Sequence, residues 1–138
     1  RGWMNKDWSE SRWRELEHLC EPVYSVTTSY REYGDSLVDY VNWIASCRVI
    51  VTPESLGMHL ALALGRRVVA LFGPTSPETL SLYGLGEALL PQGDYKCHPC
   101  YELECRAPES CIESIEPSEV FEAVVRQVQV ASPVDGTE

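Results

Sequence analysis

Basic residues are scarce in this chain. Eleven Lys and Arg stand against 21 Asp and Glu, a formal net charge of −10. That balance argues against non-specific nucleic-acid binding, which needs a basic surface. An anionic ligand would therefore have to find its positive contacts locally. No apolar run is long enough to span a bilayer, and no signal peptide is visible. There is no internal repeat. The sequence also lacks an initiator Met, starting Arg-Gly-Trp, and reads as a fragment of a longer polypeptide. What is present is ordinary in bulk: 138 residues, 44% hydrophobic and 23% charged, enough for one globular domain.

The informative stretch is RVIVTPESLGMHLALALGRRVVALFGPT, Arg48 to Thr75. Arg48–Thr52 is a β-branched run bounded by Pro53 and predicts a strand. Ser55 opens an apolar segment, Leu56–Leu64, that Gly65 closes; these are helix start and stop signals. Val68–Phe72 is a continuous apolar run of strand length, suited to a parallel strand covered on both faces. The unit is therefore a βαβ crossover, with both strands ending on one edge. The loops Pro53–Gly57 and Gly73–Thr75 meet there, where ligands of open α/β sheets bind. The helix beginning near Ser55 aims its free N–H groups and positive dipole end at that crevice, an arrangement that suits phosphate.

Elsewhere the patterns are plainer. Ser9–Leu19 has helical spacing, with Trp13, Leu16 and Leu19 or Cys20 on one face. Tyr24–Thr28 predicts a short strand. Gly34-Asp35-Ser36 caps a helix over Leu37–Ser46, with Val38, Val41 and Ile44 or Ala45 inward. Pro77–Tyr83 reads as a short helix ended by Gly84 and Gly86, and Ala88–Leu90 as a brief strand. Pro117 starts a last helix, where its missing N–H costs nothing, with Val120, Val124 and Val128 as its buried stripe. The domain is set at 1–131, with 132–138 as a frayed tail.

Pro53-Glu-Ser-Leu-Gly-Met-His-Leu-Ala-Leu-Ala-Leu-Gly65, followed by Val69-Ala-Leu-Phe-Gly-Pro-Thr75, resembles the donor-binding signature of glycosyltransferase family nine, the heptosyltransferases acting on ADP-heptose in lipopolysaccharide core assembly. Asn5-Lys6-Asp7-Trp8 with Trp13-Arg-Glu-Leu16 is similar to the entry of that family's C-terminal domain, with Ser9 in place of the usual Pro. Leu37–Cys47 is similar to the helix leading into the donor strand. Roughly Lys6 to Val128 is covered, and Glu21–Tyr33 matches least. Glu54 stands where the family usually has Asp, a carboxylate one methylene longer.

The resemblance implies an α/β fold: a Rossmann-like parallel sheet flanked by helices, the C-terminal half of a glycosyltransferase with two facing domains (GT-B). It implies inverting transfer of a heptose or related sugar from a nucleotide-diphosphate sugar to a lipopolysaccharide core or other glycan acceptor. The acceptor and the general base would belong to an N-terminal half outside this chain, so the isolated fragment should bind donor without turning it over. Lys6 would contact the donor phosphates. Ser55, with the backbone at Leu56 and Gly57, would approach them, and His59 would stabilise charge on the departing diphosphate. Glu54 would accept from sugar hydroxyls, and Thr75 would contact the sugar or shape its loop. Simpler roles stand beside these: Ser55 as a cap, Gly57 as a packing choice, His59 as a core histidine, Lys6 as a solvated lysine. No cofactor and no divalent metal are required, there being no Asp-x-Asp pair. The location implied is cytoplasmic, at the inner face of the membrane.

A second feature is Cys97, Cys100, Cys105 and Cys111, spaced C-x2-C-x4-C-x5-C with His98 inside the first pair. The tight pair is of metal-ligand type. A cytoplasmic setting disfavours disulfides, leaving a structural zinc, an iron–sulfur cluster or reduced thiols. Cys20 and Cys47 read as buried small apolar residues on helix faces. The rival functional reading is a non-catalytic scaffold module organised by this cysteine loop, or a transferase of the same fold for a different sugar.

Overall fold

The computed structural model describes residues 8–28, 36–73, 82–91 and 111–131. In chain order the elements are α1 (Glu10–Cys20), α2 (Leu37–Ala45), β1 (Val49–Pro53), α3 (Leu56–Ala63), β2 (Arg67–Leu71), β3 (Gly86–Leu89), a 3-10 turn (Cys111–Ser114) and α4 (Pro117–Val130). The three strands form one parallel sheet in the order β1-β2-β3, with Val49 opposite Arg67 and Val68 opposite Gly86. Helices α1 and α4 cover one face; α2 and α3 cover the other. The architecture is the Rossmann-like α/β sheet expected.

Strand β2 explains the two-sided cover. Val68, Ala70 and Phe72 bury into the α2/α3 layer, while Val69 and Leu71 bury into the α1/α4 layer, all at 0% exposure. Alternate side chains point to opposite faces, so a strand apolar at every position needs a layer on each side. Phe72 is the largest of the fully buried side chains, and truncating it to Ala would cost about 3–5 kcal/mol.

The helices follow from local signals. On α1, Leu16 and Cys20 are buried whereas Leu19 is 39% exposed, so Cys20 completes the inward face. At its start, Trp8 donates its indole N–H to the Ile115 carbonyl at 3.1 Å, which satisfies the one polar atom of a buried ring. Pro117 occupies the first turn of α4 as expected. Val120 and Val124 are buried there, with Ala123 and Gln127 beside them, and Val128 packs at the margin. Glu87 binds the Arg126 guanidinium through both carboxylate oxygens and also accepts from the Gln127 amide at 2.7 Å; Arg67 donates to Gln127 at 2.9 Å. These bonds tie the far end of α4 to β2 and β3.

Several expectations need correction. Tyr24–Thr28 is not a strand: the N–H groups of Val23 and Tyr24 still bond back to the Cys20 carbonyl, and the segment then leaves α1 irregularly. Its Thr27 hydroxyl accepts from the Trp43 indole at 2.9 Å on the opposite layer. Val38 does not face inward but is 67% exposed. The inward face of α2 is instead Tyr40, Trp43 and Ile44, continued by Cys47 at the same helical spacing. Pro53 belongs to β1 rather than bounding it. The third strand starts at Gly86, not Ala88; a Cβ at Gly86 would run into the Val68 carbonyl, so close strand pairing demands glycine there. Leu82–Leu85 is a tight turn, with positive φ at Tyr83 (53°) and Gly84 (72°), so the helix predicted to reach Tyr83 does not. The rest of that helix, the cysteine loop before Cys111 and the tail 132–138 lie outside the described residues.

Candidate functional site

The C-terminal ends of β1 and β2 share one edge of the sheet, and α3 starts there. The edge collects Thr52, Pro53, Glu54, Ser55, Leu56, Gly57 and His59 within a short span of chain. Of the other predicted residues, Lys6, Thr75, Cys97, Cys100 and Cys105 lie outside the described residues, as does His98.

Ser55 takes an extended backbone (φ −164°, ψ 176°), as an N-cap residue should, yet its side chain makes no capping bond. Its hydroxyl lies 3.0 Å from that of Thr52, which in turn donates to the Pro53 carbonyl at 2.9 Å. Thr52 has one hydroxyl proton and directs it to Pro53, so Ser55 is the donor in the pair. Ser55 is therefore turned back onto β1 and does not cap its helix. Its hydroxyl leaves the first-turn N–H groups of α3 uncapped, pointing out of the sheet edge with the dipole behind them. The side chain of Leu56 is 59% exposed, so only its backbone has a polar part to play.

Gly57 is buried, and a Cβ added there would clash with the Tyr40 hydroxyl, its nearest neighbour. Glycine here admits Tyr40 against the helix start. The Tyr40 ring stacks on Trp43, with centroids 6.0 Å apart and planes 13° from parallel. Tyr40 and Trp43 thus brace the turn from the α2 side. Sequence reasoning assigned neither a role; two aromatics three residues apart on the helix before β1 were the available signal.

Glu54 and His59 face each other across this turn, with Oε2 and Nε2 3.9 Å apart. The Glu54 side chain is 16% exposed and that of His59 is 52% exposed. The carboxylate is thus held in the wall while the imidazole stands in solvent at the mouth, so His59 is not a core histidine. Its outer side also faces a shallow depression with Leu62, Ala63 and Tyr83. A protonated His59 would put a positive charge beside the helix N-terminus, and Glu54 would hold it there. Such a site can bind a phosphate through N–H groups and imidazolium, and can stabilise negative charge on a leaving group.

The cysteines that are described play no part in it. Burial pushes the Cys20 and Cys47 thiols up, so both stay protonated at neutral pH. Cys47 donates to the Trp43 carbonyl at 3.4 Å. Cys111 is buried in the 3-10 turn. Among the described residues no cluster of His, Cys, Asp or Glu could hold a metal ion, and no helix is long and apolar enough to cross a membrane.

Comparison with known proteins bears on the same stretch. The family model for glycosyltransferase family 9 (heptosyltransferase) matches residues 36–110. A lipopolysaccharide heptosyltransferase 1 of Pseudomonas aeruginosa is 30% identical over 124 residues, covering 75% of this chain and 35% of the relative. A lipooligosaccharide heptosyltransferase 2 of Campylobacter jejuni is 30% identical over 115 residues, covering 78% of this chain and 36% of the relative. A lipopolysaccharide heptosyltransferase 2 of Escherichia coli is 57% identical over 46 residues, 33% of this chain and 13% of the relative. The chain therefore spans about a third of the length of the first two relatives. No solved structure matches.

Proposed function

This chain belongs to glycosyltransferase family 9, and on that premise we propose that it is the donor-binding part of a transferase that moves a heptose, or a related sugar, from a nucleotide-diphosphate donor to a lipopolysaccharide core or other glycan. The observation that carries the reading is the uncapped start of α3, with Ser55 turned away and His59 at its mouth, inside the segment the family model matches. The diphosphate sits against the N–H groups of the first turn, where the dipole and a donated imidazole N–H of His59 oppose its charge. As the glycosidic bond breaks, charge grows on the leaving diphosphate, and the same groups stabilise it without moving. Glu54 accepts from a sugar hydroxyl and keeps His59 in place. Lys6 adds a point charge to the phosphates.

Transfer with inversion needs a base on the acceptor hydroxyl, and we assign it to a part of the enzyme outside this chain, together with the acceptor site. The whole enzyme works at the cytoplasmic face of the inner membrane, where lipid-linked acceptors are reached. Calorimetric titration of the chain with ADP, UDP and GDP tests the reading. Binding of ADP that weakens by roughly 1–2 kcal/mol in His59→Ala, the scale of a charge-assisted contact, is expected. Binding of UDP or GDP alone would remove the ADP-heptose assignment. Binding of no nucleotide by the folded chain would remove the donor-site reading.

A further inference from the structure

Two polar side chains are buried among the described residues, Gln127 and Thr52. A buried polar group needs a partner, and its presence needs a reason. Gln127 has both: it accepts from Arg67 and donates to Glu87, and so ties α4 to β2 and β3. Thr52 joins no distant elements. Among the described residues its hydroxyl bonds only to the Pro53 carbonyl at 2.9 Å and the Ser55 hydroxyl at 3.0 Å. Thr52 follows Ile50 at strand spacing, and Ile50 buries in the α2/α3 layer. Valine has the same shape with no hydroxyl to desolvate, and for the fold alone it would suit that position at least as well.

The N-cap serines of the chain indicate what the Thr52 hydroxyl is for. Ser36 has no other side-chain partner among the described residues, and it caps α2 by accepting from Asp39 N–H at 3.0 Å. Ser9 is drawn to Glu113 at 2.9 Å and makes no capping bond. Ser55 is drawn to Thr52 and makes none either. In this chain, then, an N-cap serine caps its helix unless another side chain holds it. Ser55 keeps the extended backbone of an N-cap. Released from Thr52, its oxygen would have the same use as that of Ser36, accepting from the N–H of Gly57 or Met58 in the first turn of α3. Those N–H groups can serve a cap or an anion, and the two compete.

We propose that Thr52 is a positioning residue for the donor site. By holding the Ser55 hydroxyl against β1, it stops Ser55 from capping α3 and leaves the Gly57 and Met58 N–H groups to a diphosphate. The proposal rests on the donor-site reading above. Thr52 itself is buried and acts through Ser55, not on the ligand. The device is a run of two donated protons, from Ser55 to Thr52 and from Thr52 to the Pro53 carbonyl. Pro53 is the last residue of β1, so the run is anchored on the sheet and not on the helix it keeps open. Removing the Thr52 oxygen takes away the acceptor of Ser55 and frees that side chain to turn toward its own helix. The helix start then satisfies itself, and an incoming phosphate has to displace the serine.

Substitution at Thr52, with and without Ser55, tests the proposal by amide exchange in the free chain and by ADP titration. Thr52→Val should slow exchange at the Gly57 or Met58 N–H and weaken ADP binding, each by roughly fivefold, the equilibrium factor of one capping bond. Thr52→Ser keeps the hydroxyl and should match the parent in both readouts. In Ser55→Ala no side-chain cap can form, so adding Thr52→Val should change neither exchange at these N–H groups nor ADP affinity. A role confined to folding would instead speed exchange in the first turn and weaken ADP equally in the two backgrounds. That pattern would overturn the proposal, even if Thr52→Val melted well below the parent. Parent-like exchange and ADP affinity in Thr52→Val would overturn it as well, with the donor-site reading untouched. A folded parent that binds neither ADP, UDP nor GDP would remove the donor-site reading, and the role of Thr52 in it, whatever the exchange rates show.

Discussion

Helices α3 and α4 both start at the same edge of the sheet, and their first turns are built in opposite ways. At α4, Glu116 and Glu119 form a capping box, Pro117 removes one free donor, and Arg12 reaches across from α1 to Glu116 at 3.1 Å. Next to it Glu113 takes both the backbone N–H and the hydroxyl of Ser9, the N-cap of α1. At α2 the Ser36 hydroxyl accepts from Asp39 N–H at 3.0 Å. At α3 a serine of the same type stands in the same place and bonds elsewhere. The starts of α2 and α4 satisfy N–H groups with their own caps, whereas the N-cap serines of α1 and α3 bond elsewhere, Ser9 to Glu113 and Ser55 to Thr52; of these two, the α3 start stands at the C-terminal ends of β1 and β2. The difference teaches that α3 forgoes the roughly 1 kcal/mol a cap would contribute.

The comparison can be broken hardest at Gly57. Gly57→Ala should destabilise the chain by about 1–3 kcal/mol, because the new methyl must displace the Tyr40 hydroxyl. It should also weaken nucleotide binding, since the shift lies in the first turn. Tyr40→Phe removes the clashing oxygen and should restore much of the stability, which thermal melts of the double variant would show. A melt of the double variant no better than that of Gly57→Ala would mean that the close packing is not the reason for glycine.

A matched pair of substitutions sharpens the contrast. Glu113→Ala should cost about 1–2 kcal/mol of stability, through the bonds lost to Ser9, and leave nucleotide affinity unchanged. His59→Ala should do the reverse: an affinity loss of roughly tenfold, with a melting point within error of the parent, since the side chain stands largely in solvent. Loss of stability in His59→Ala with affinity intact would contradict the division between the two ends.

The smallest effect is on pH dependence. The Arg126 guanidinium bound to Glu87 holds its carboxyl below the ordinary value of 4.5. A carboxyl depressed in the folded state stabilises the fold at pH above its unfolded pKa and loses that contribution as pH falls through the folded value. Stability should therefore decline slightly below about pH 4.5 and do so less in Glu87→Gln. The pair is solvent-exposed at Arg126, so the slope should be shallow and flatten with salt.

The central βαβ unit was legible in the sequence because its signals agree: a β-branched run, an apolar helix closed by Gly65, and a second run apolar at every position. The resemblance over the same residues pointed to the right family. What could not be read is what depends on partners distant in the chain. Tyr24–Thr28 has the composition of a strand, but its start still bonds back to the end of α1 and its Thr27 takes the Trp43 indole instead of a strand partner. Val38 has the right spacing for burial, but Tyr40 and Trp43 set the rotation of α2. Gly86 looked like a helix stop, because nothing in the sequence announces the Val68 carbonyl against its Cα. At the site, the short-range pattern located Glu54, Ser55, Gly57 and His59 together, yet it could not tell that Ser55 turns toward Thr52 and leaves its helix uncapped.

The most direct measurement is the backbone amide spectrum of the chain titrated with ADP. The account predicts shifts at Leu56, Gly57 and Met58 that saturate together and are reduced in His59→Ala, with Ser118 and Glu119 at the capped start of α4 unmoved. Saturable shifts at both helix starts, or none at α3 while ADP binds elsewhere, would contradict the claim that the uncapped turn is the donor site.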